Sequence, residues 1–238
     1  MFTFNAVDSS GYLIENDVHH AILPPLSSRL LTVPDRVGAY DFGVEIGTRE
    51  IAVDVTINGA SLEDLRAKVR EIAAWLFHKD VKPLVFSDEP DKTYYARVAG
   101  STDLDQIVTH GQGTITFLCP DPHAEGMNRS QTIVSGDTIT NSGTIEVYPV
   151  VTVMFPAAAT NLKLIKGFEQ VYIKSSFAAG DVLVLDHKKA LVTLNGSPSM
   201  PTIDLSTVFF PLDVGGTVLT FEPNASVSVQ VDFKEKWL

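Results

Sequence analysis

The chain has 238 residues, 45% apolar and 20% charged, which suits one large or two small globular domains with real cores. Its net charge of −11 comes from 18 basic and 29 acidic residues, and the densest basic group is Lys188–Lys189, so no specific nucleic-acid binding is expected. No apolar run approaches the ~20 residues of a membrane span, the stretch holding Asp8, Glu15 and Asp17 is not a Sec signal peptide, and lone Cys119 cannot form an intramolecular disulfide.

Phe2–Val7 and Tyr12–Ile14 read as short strands around an Asp-Ser-Ser-Gly turn. Val18 to Ala39 is broken by Pro24, Pro25, Pro34 and Gly38 and reads as an exposed loop or arm with short extended pieces. Arg49 to Ile57 alternates, with Ile51, Val53, Val55 and Ile57 on one face, as a half-buried strand does. After Asn58-Gly59, Ser61 and Asp64 have the spacing at which each side chain satisfies a free N–H of a first helical turn. Leu62, Leu65, Val69, Ile72 and Leu76 then form one apolar stripe, and Glu63, Arg66, Lys68, Arg70 and Glu71 cover the other face. The helix is predicted to end near His78–Asp80, before Pro83.

Leu84–Phe86, Thr93–Ala99 and Thr114–Leu118 are further strands. Beyond Pro120 and Pro122 no amphipathic helical pattern appears. Short strands recur between turn signals at Thr132–Val134, Thr144–Val147, Val150–Phe155, Gln170–Ile173, Asp181–Leu185, Leu191–Leu194, Val218–Phe221 and Ser226–Phe233. That spacing argues an all-β sandwich. The predicted class is mainly β: an α+β N-terminal domain, residues 1–128, and a β-sandwich domain, residues 129–238, with the junction near Glu125–Ser130.

The groups that could carry chemistry read as structural. Asp88, Glu89 and Asp91 lack the alternate acids, Gly and distal Glu of a calcium loop, so they make a solvated turn. The histidines at 19, 20, 78, 110, 123 and 187 contain no H-x-x-x-H, and neighbours His19 and His20 would face opposite sides of a strand. Gly111-Gln-Gly113 precedes a strand rather than the helix a phosphate cradle needs. Cys119, at a strand end, is expected as a small buried hydrophobe. Asn128–Ser130 and Asn224–Ser226 match glycosylation sequons, read as chance without a secretory signal. No catalytic, cofactor-binding or metal-binding residue is assigned, and no enzyme is expected.

Gly47-Thr-Arg-Glu-Ile before a strand, the Ser61 helix ending in Ala74-Trp75-Leu76, Pro83-Leu-Val-Phe, Asp88-Glu-Pro-Asp-Lys92, Tyr95-Ala-Arg-Val and Gly113-Thr-Ile-Thr-Phe-Leu-Cys-Pro-Asp-Pro122 form an ordered series. It continues with Ile139-Thr-Asn-Ser-Gly-Thr and Pro149, Ala179-Gly-Asp-Val-Leu-Val-Leu-Asp186, Val192-Thr-Leu-Asn-Gly196 and a last strand closing in Trp237-Leu238. Taken together, nearly the whole chain resembles the distal tail protein (Dit) family of siphophages and prophages, with one departure at His123, where an aromatic such as Tyr is expected.

The resemblance implies a ring-forming N-terminal β-sandwich with one α-helix, followed by a peripheral galectin-like β-sandwich. It implies a homo-hexamer at the distal tip of the virion tail, between the tail tube protein and the tail-associated lysin or fibre protein, with a receptor-binding protein as a further partner and a channel for DNA. Manufacture in the host bacterial cytoplasm is expected, with no membrane insertion. The alternative is a host-cell-surface carbohydrate-binding adhesion module. Its Tyr/Trp candidates in the C-terminal half are Tyr148, Tyr172 and Trp237, of which Tyr172, in an apolar-rich strand, is expected in the core.

Overall fold

The computed structural model describes residues 1–100, 104–107, 110–223 and 227–238. It divides into two compact units, residues 1–125 with Leu238, and residues 126–237.

In the first unit, β1 (Phe2–Phe4) and β2 (Val7–Asp8) form a tight hairpin. Its turn residues Asn5 and Ala6 have φ of 51° and 63°, the twist a two-residue hairpin favours. The single strand expected over Phe2–Val7 is thus folded back on itself. Where a strand was expected at Tyr12–Ile14, a 3-10 turn (Ser9–Gly11) leads into β3 (Ile14–His20). The segment Val18–Ala39, expected as an exposed loop or arm with short extended pieces, is exposed but holds a full strand, β4 (Leu26–Thr32), which pairs with β5 (Ala39–Ile46), begun at the segment's last residue; among the described residues the two strands pair with no other. The prolines do not interrupt them: Pro24 and Pro25 precede β4, and Pro34 lies in the connecting loop.

Next come β6 (Arg49–Asn58), α1 (Leu62–Leu76), β7 (Lys82–Phe86), β8 (Tyr94–Val98), β9 (Leu104–Ile107) and β10 (His110–Cys119). One sheet runs β2-β1-β7-β8-β10-β6-β3, with β9 also paired to β10. Strand β6 buries Ile51, Val53, Val55 and Ile57, as its alternation predicts. Gly59 makes the strand-to-helix turn possible, because a Cβ there would sit 2.8 Å from the backbone N of Leu65. The Ser61 hydroxyl caps Asp64 N–H at 3.1 Å, and Asp64 reaches back to Ala60 N–H at 2.8 Å. The helix ends at Leu76, two residues before the predicted limit.

The stripe is corrected at both ends. Leu62 is exposed, while Trp75 is buried with Leu65, Ile72 and Leu76. Trp75 stacks on Phe2 and Tyr12 at 6.0 and 5.0 Å, and its indole N–H donates to Phe4 O at 3.2 Å, so its polar atom is satisfied inside the core. Arg49 is also buried. It donates to Pro122 O at 2.9 Å and Ala21 O at 3.2 Å, tying the start of β6 to both flanking segments.

The second unit begins within β11 (Ala124–Ile133) and continues through β12 (Thr138–Asn141), β13 (Val150–Met154), β14 (Leu162–Lys166), β15 (Glu169–Ile173), β16 (Val182–Asp186), β17 (Leu191–Leu194), β18 (Ser197–Pro198), β19 (Gly215–Val218), β20 (Thr220–Glu222) and β21 (Ser228–Trp237). A six-stranded sheet, β11-β21-β13-β16-β17-β18, shares one apolar core with a three-stranded sheet, β15-β14-β20, and the pair β12-β19. Val151, Val153, Leu183, Leu185, Val229 and Val231 supply one layer and Leu164, Val171 and Ile173 the other. Thr144–Val147 is not a strand. It is held by the Asn-Ser-Gly turn, in which a Cβ on Gly143 would lie 2.4 Å from Lys236 O. Three of the unit's described strands, β12, β14 and β18, lie outside the predicted set.

A charge at Leu65 would be trapped in the core, so Leu65→Asp is expected to cost at least the ~2–5 kcal/mol of deleting a buried leucine side chain. Leu62→Asp, at an exposed position in the first helical turn, is expected to change stability by no more than ~0.5 kcal/mol. Chemical denaturation of the two variants checks the reassigned stripe.

Candidate functional site

The residues singled out for chemistry lie apart. His19 and His20 do face opposite sides of β3. His19 Nε2 lies 3.0 Å from Asp54 Oδ2, which raises its pKa, while His20 packs on Phe86 and Tyr94, where burial lowers its pKa. His78 sits beside Asn5, His123 pairs with Asp121 at 2.5 Å, and the side chain of His110 lies outside the described residues. Among the described residues no group of three or more His, Cys, Asp or Glu side chains could hold a metal ion. Asp88 and Asp91 are exposed in the turn between β7 and β8, and Glu89 accepts from Lys92 at 2.5 Å. Gly111 and Gly113 lie within β10. Cys119 is fully buried, and burial pushes its thiol up to about 12, so it is no nucleophile at neutral pH. Asn128–Ser130 lies on β11, and Asn224–Ser226 lies outside the described residues.

Three surfaces in the first unit are unusual. The β4–β5 hairpin is exposed along both strands. Its register, Leu26↔Ile46, Ser28↔Val44 and Leu31↔Tyr40 around a bulge in β5 that holds Phe42, puts Leu26, Leu30, Val44 and Ile46 on one face and Leu31 and Tyr40 on the other, so both faces expose apolar side chains. Phe42 is 65% exposed. The second surface is a groove of about 430 Å³ between α1 and the sheet, lined by Val69, Ile72, Ala73, Phe77, Val98 and Ile115 among others. Phe77, just past the helix, is 72% exposed.

The third is the outer face of β3, β6 and β10. It carries Asn16, Asp17 and His19, then Glu50, Asp54 and Thr56, then Gln112, Thr114 and Thr116. Its carboxylates are Asp17, Glu50 and Asp54, and its described residues include no Lys or Arg; the first arginine beside it is Arg97 on β8, opposite Leu118. The Thr114 hydroxyl, 2.6 Å from Asp54, and His19 hold that carboxyl below its usual range.

In the second unit a polar cleft of about 430 Å³ is lined by Arg129, Ser130, Gln131, Thr138, Thr140 and Glu235, with Ser142 and Phe233. Glu235 is buried; burial alone would raise its pKa, but the Ser142 N–H and the Arg129 guanidinium, at 3.0 Å each, outweigh that and lower it. None of Tyr148, Tyr172 or Trp237 lines this cleft. Tyr172 is not a core residue. It alternates with buried Val171 and Ile173, so it lies half-exposed on the opposite face, with Lys163 and Lys174 ammonium groups 5.0 and 5.1 Å from its ring.

Residues 7–119 match the family described as phage tail protein RIFT-related domain, and residues 142–237 match the C-terminal domain of siphovirus-type tail components. The distal tail protein of Bacillus phage SPP1 is 29% identical over 208 residues, covering 84% of this chain and 82% of that protein. The chain belongs to the siphophage distal tail protein family. The crystal structure of SPP1 Dit, described as a paradigm of the hub adsorption apparatus in phages infecting Gram-positive bacteria, shares the fold with a TM-score of 0.87 and 20% identity, over 100% of this chain and 98% of that one. A chain of the activated, calcium-bound phage P2 baseplate reaches a TM-score of only 0.42 at 9% identity, over 94% of this chain and 91% of that one. This member of the family is mostly β, and it is a distal, structural component of the phage tail. Among its described residues no helix is long and apolar enough to cross a membrane, which says nothing of strands.

The apolar hairpin, Phe77 and Arg49 carry more of the molecule's organisation than any residue picked for chemistry. The alternation Tyr40, Phe42, Val44, Ile46 was the available signal for the hairpin.

One buried titratable group gives the second unit a pH dependence. His187, just after β16, is 2% exposed, with Nδ1 2.9 Å from Phe210 O and no partner for Nε2. Burial lowers its pKa from 6.5 to about 4. The unfolded chain therefore binds a proton that the folded one refuses. His187 contributes its full stability above pH 6.5 and loses it as pH falls toward 4, at up to ~1.4 kcal/mol per unit. His187→Gln is expected to flatten the fall in denaturation midpoint between pH 7 and 5; equal slopes in the two proteins would exclude this role.

Proposed function

We propose that six copies of this chain form the hub ring of a siphophage tail tip, through residues 1–128. The ring joins the tail tube protein to the tail-associated lysin or fibre protein and leaves a channel for DNA, and residues 129–238 form a peripheral galectin-like sandwich toward the receptor-binding apparatus. The observation that carries the ring is the β4–β5 hairpin. An isolated two-stranded hairpin is marginal in water, and large apolar side chains exposed along both faces of this one mark an interaction surface.

Charge supports the channel. Residues 1–125 hold 10 basic and 19 acidic residues, a net −9 of the chain's −11. The outer face of β3, β6 and β10, with its acids, hydroxyls and amides, is the surface best suited to line a DNA passage. It repels phosphate, whereas a basic wall would hold DNA by counterion release.

A second reading, that the sandwich binds host carbohydrate, is favoured only by the hydroxyl-rich cleft around the Arg129–Glu235 pair. A glycan array tests it; binding lost in Arg129→Ala would support it.

Light scattering on the purified chain is expected to give six times the 25.9 kDa subunit mass. Phe42→Asp is expected to reduce it to the monomer without lowering the melting temperature, because Phe42 is outside the core. A chain that stays monomeric at high concentration, with no rings in purified tails, contradicts the reading. Duplex DNA is expected not to shift in a gel at physiological salt; a salt-sensitive shift would show that the acidity serves solubility only.

A further inference from the structure

We propose that Asn58 is a deamidation site, at which slow loss of one side-chain amide ages the corner between β6 and α1, whether or not the chain assembles into a ring. The sequence holds two Asn-Gly pairs, Asn58-Gly59 and Asn195-Gly196. A glycine after asparagine has no Cβ to keep its backbone nitrogen from the side-chain carbonyl carbon, so the two atoms reach attack distance most easily in this dipeptide. The Gly59 nitrogen attacks Asn58 Cγ. A new C–N bond forms, the Cγ–Nδ2 bond breaks, and ammonia leaves with the proton of the attacking N–H. Water then opens the five-membered imide at either carbonyl. One route leaves aspartate; the other leaves isoaspartate, whose backbone runs through the side-chain carbon. Nothing is oxidised or reduced, and water is the only co-reactant.

Both asparagines are exposed, so what holds each side chain decides between them. The Asn195 carboxamide is fully engaged: Oδ1 accepts from Val182 N–H at 2.9 Å, and Nδ2 donates to Asp181 Oδ1 at 2.9 Å. Its own N–H donates to Val182 O at 2.8 Å, and its φ of 49° sets it in a left-handed turn. Turning Cγ toward the Gly196 nitrogen breaks both side-chain bonds, which slows attack by about tenfold or more. Asn58 has no such restraint. It is the last residue of β6, where a strand opens first. Among the described residues its only bond outside the ladder is from Lys68 Nζ to its backbone O, at 2.8 Å, and the attacking Gly59 N–H has none.

The corner cannot absorb the second product. Gly59 packs so closely on α1 that a Cβ there would lie 2.8 Å from Leu65 N. Isoaspartate inserts one more backbone atom at this point, which displaces α1 and its buried Leu65 and Trp75 from the sheet. A tail component is not renewed in a released particle, so the product accumulates there.

The test is ageing of the purified full chain at physiological temperature and mildly alkaline pH, read by peptide mass mapping and by labelling with protein isoaspartyl methyltransferase. Conversion at Asn58 about tenfold or more faster than at Asn195 is expected. Asn58→Gln is expected to abolish the label at that position with an unchanged melting transition. Equal rates at the two asparagines would overturn the site, as would an intact Asn58 in the folded chain under conditions where the urea-unfolded chain converts. Aged protein is expected to melt below the Asn58→Asp variant, which adds the charge without the extra backbone atom; identical melting would overturn the structural consequence.

Discussion

A two-stranded sheet that carries large apolar side chains on both faces cannot cover them in water. The first unit is otherwise finished: its sheet and helix close over Phe2, Phe4, Leu65, Trp75 and Phe117, and the indole N–H has its acceptor. The β4–β5 hairpin is left with Tyr40, Phe42, Val44 and Ile46 in solvent. The base of the hairpin is closed by Gly47 N–H to Pro25 O at 2.8 Å, and Arg36 lies 3.6 Å over the Tyr40 ring near its loop. These contacts give the arm a shape without covering its apolar side chains, and the proposed assembly rests on that uncovered arm.

The parts of the fold that were legible in the sequence are those where one side chain in two, or one stripe in seven residues, faces a core. β6 and most strands of the second unit alternate cleanly, and Ser61 with Asp64 marks the helix start as the cap geometry shows. The misreadings have physical causes. The hairpin was hidden because its prolines were read as interruptions, although they sit at its base and in its loop. The Asn5–Ala6 turn lacks the glycine that usually marks positive φ. Tyr172 was placed by the company it keeps along the chain, yet alternation turns it to the opposite face from Val171 and Ile173. Leu62 lies in the first helical turn, at the end of the stripe, and remains exposed. The surface proposed for assembly was the least legible, because which side chains stay exposed is decided only once the chain is folded.

Two buried charges among the described residues organise structure. Arg49 donates from Nε to Pro122 O and from Nη1 to Ala21 O while its Nη2 has no partner, and Glu235 accepts from the Ser142 N–H and the Arg129 guanidinium. Both act as clasps between segments distant in sequence, which explains why the Arg49 motif stands out in a family resemblance without lying near any reactive group. The remaining charge is distributed unevenly, with most of the acid excess in the first unit. Its outer sheet face adds hydroxyls and amides to its few carboxylates.

The central claim is that the hairpin is buried by a neighbouring copy. Amide hydrogen exchange over residues 26–46 tests it most directly, comparing the assembled protein with the Phe42→Asp variant. An uncovered two-stranded arm opens readily and exchanges fast, whereas one seated against a partner opens only when that contact is lost. Strong protection of these amides in the assembled protein, lost in the variant while the β6 and β10 amides stay protected, is the predicted result. Fast exchange of residues 26–46 in the assembled protein would contradict the account.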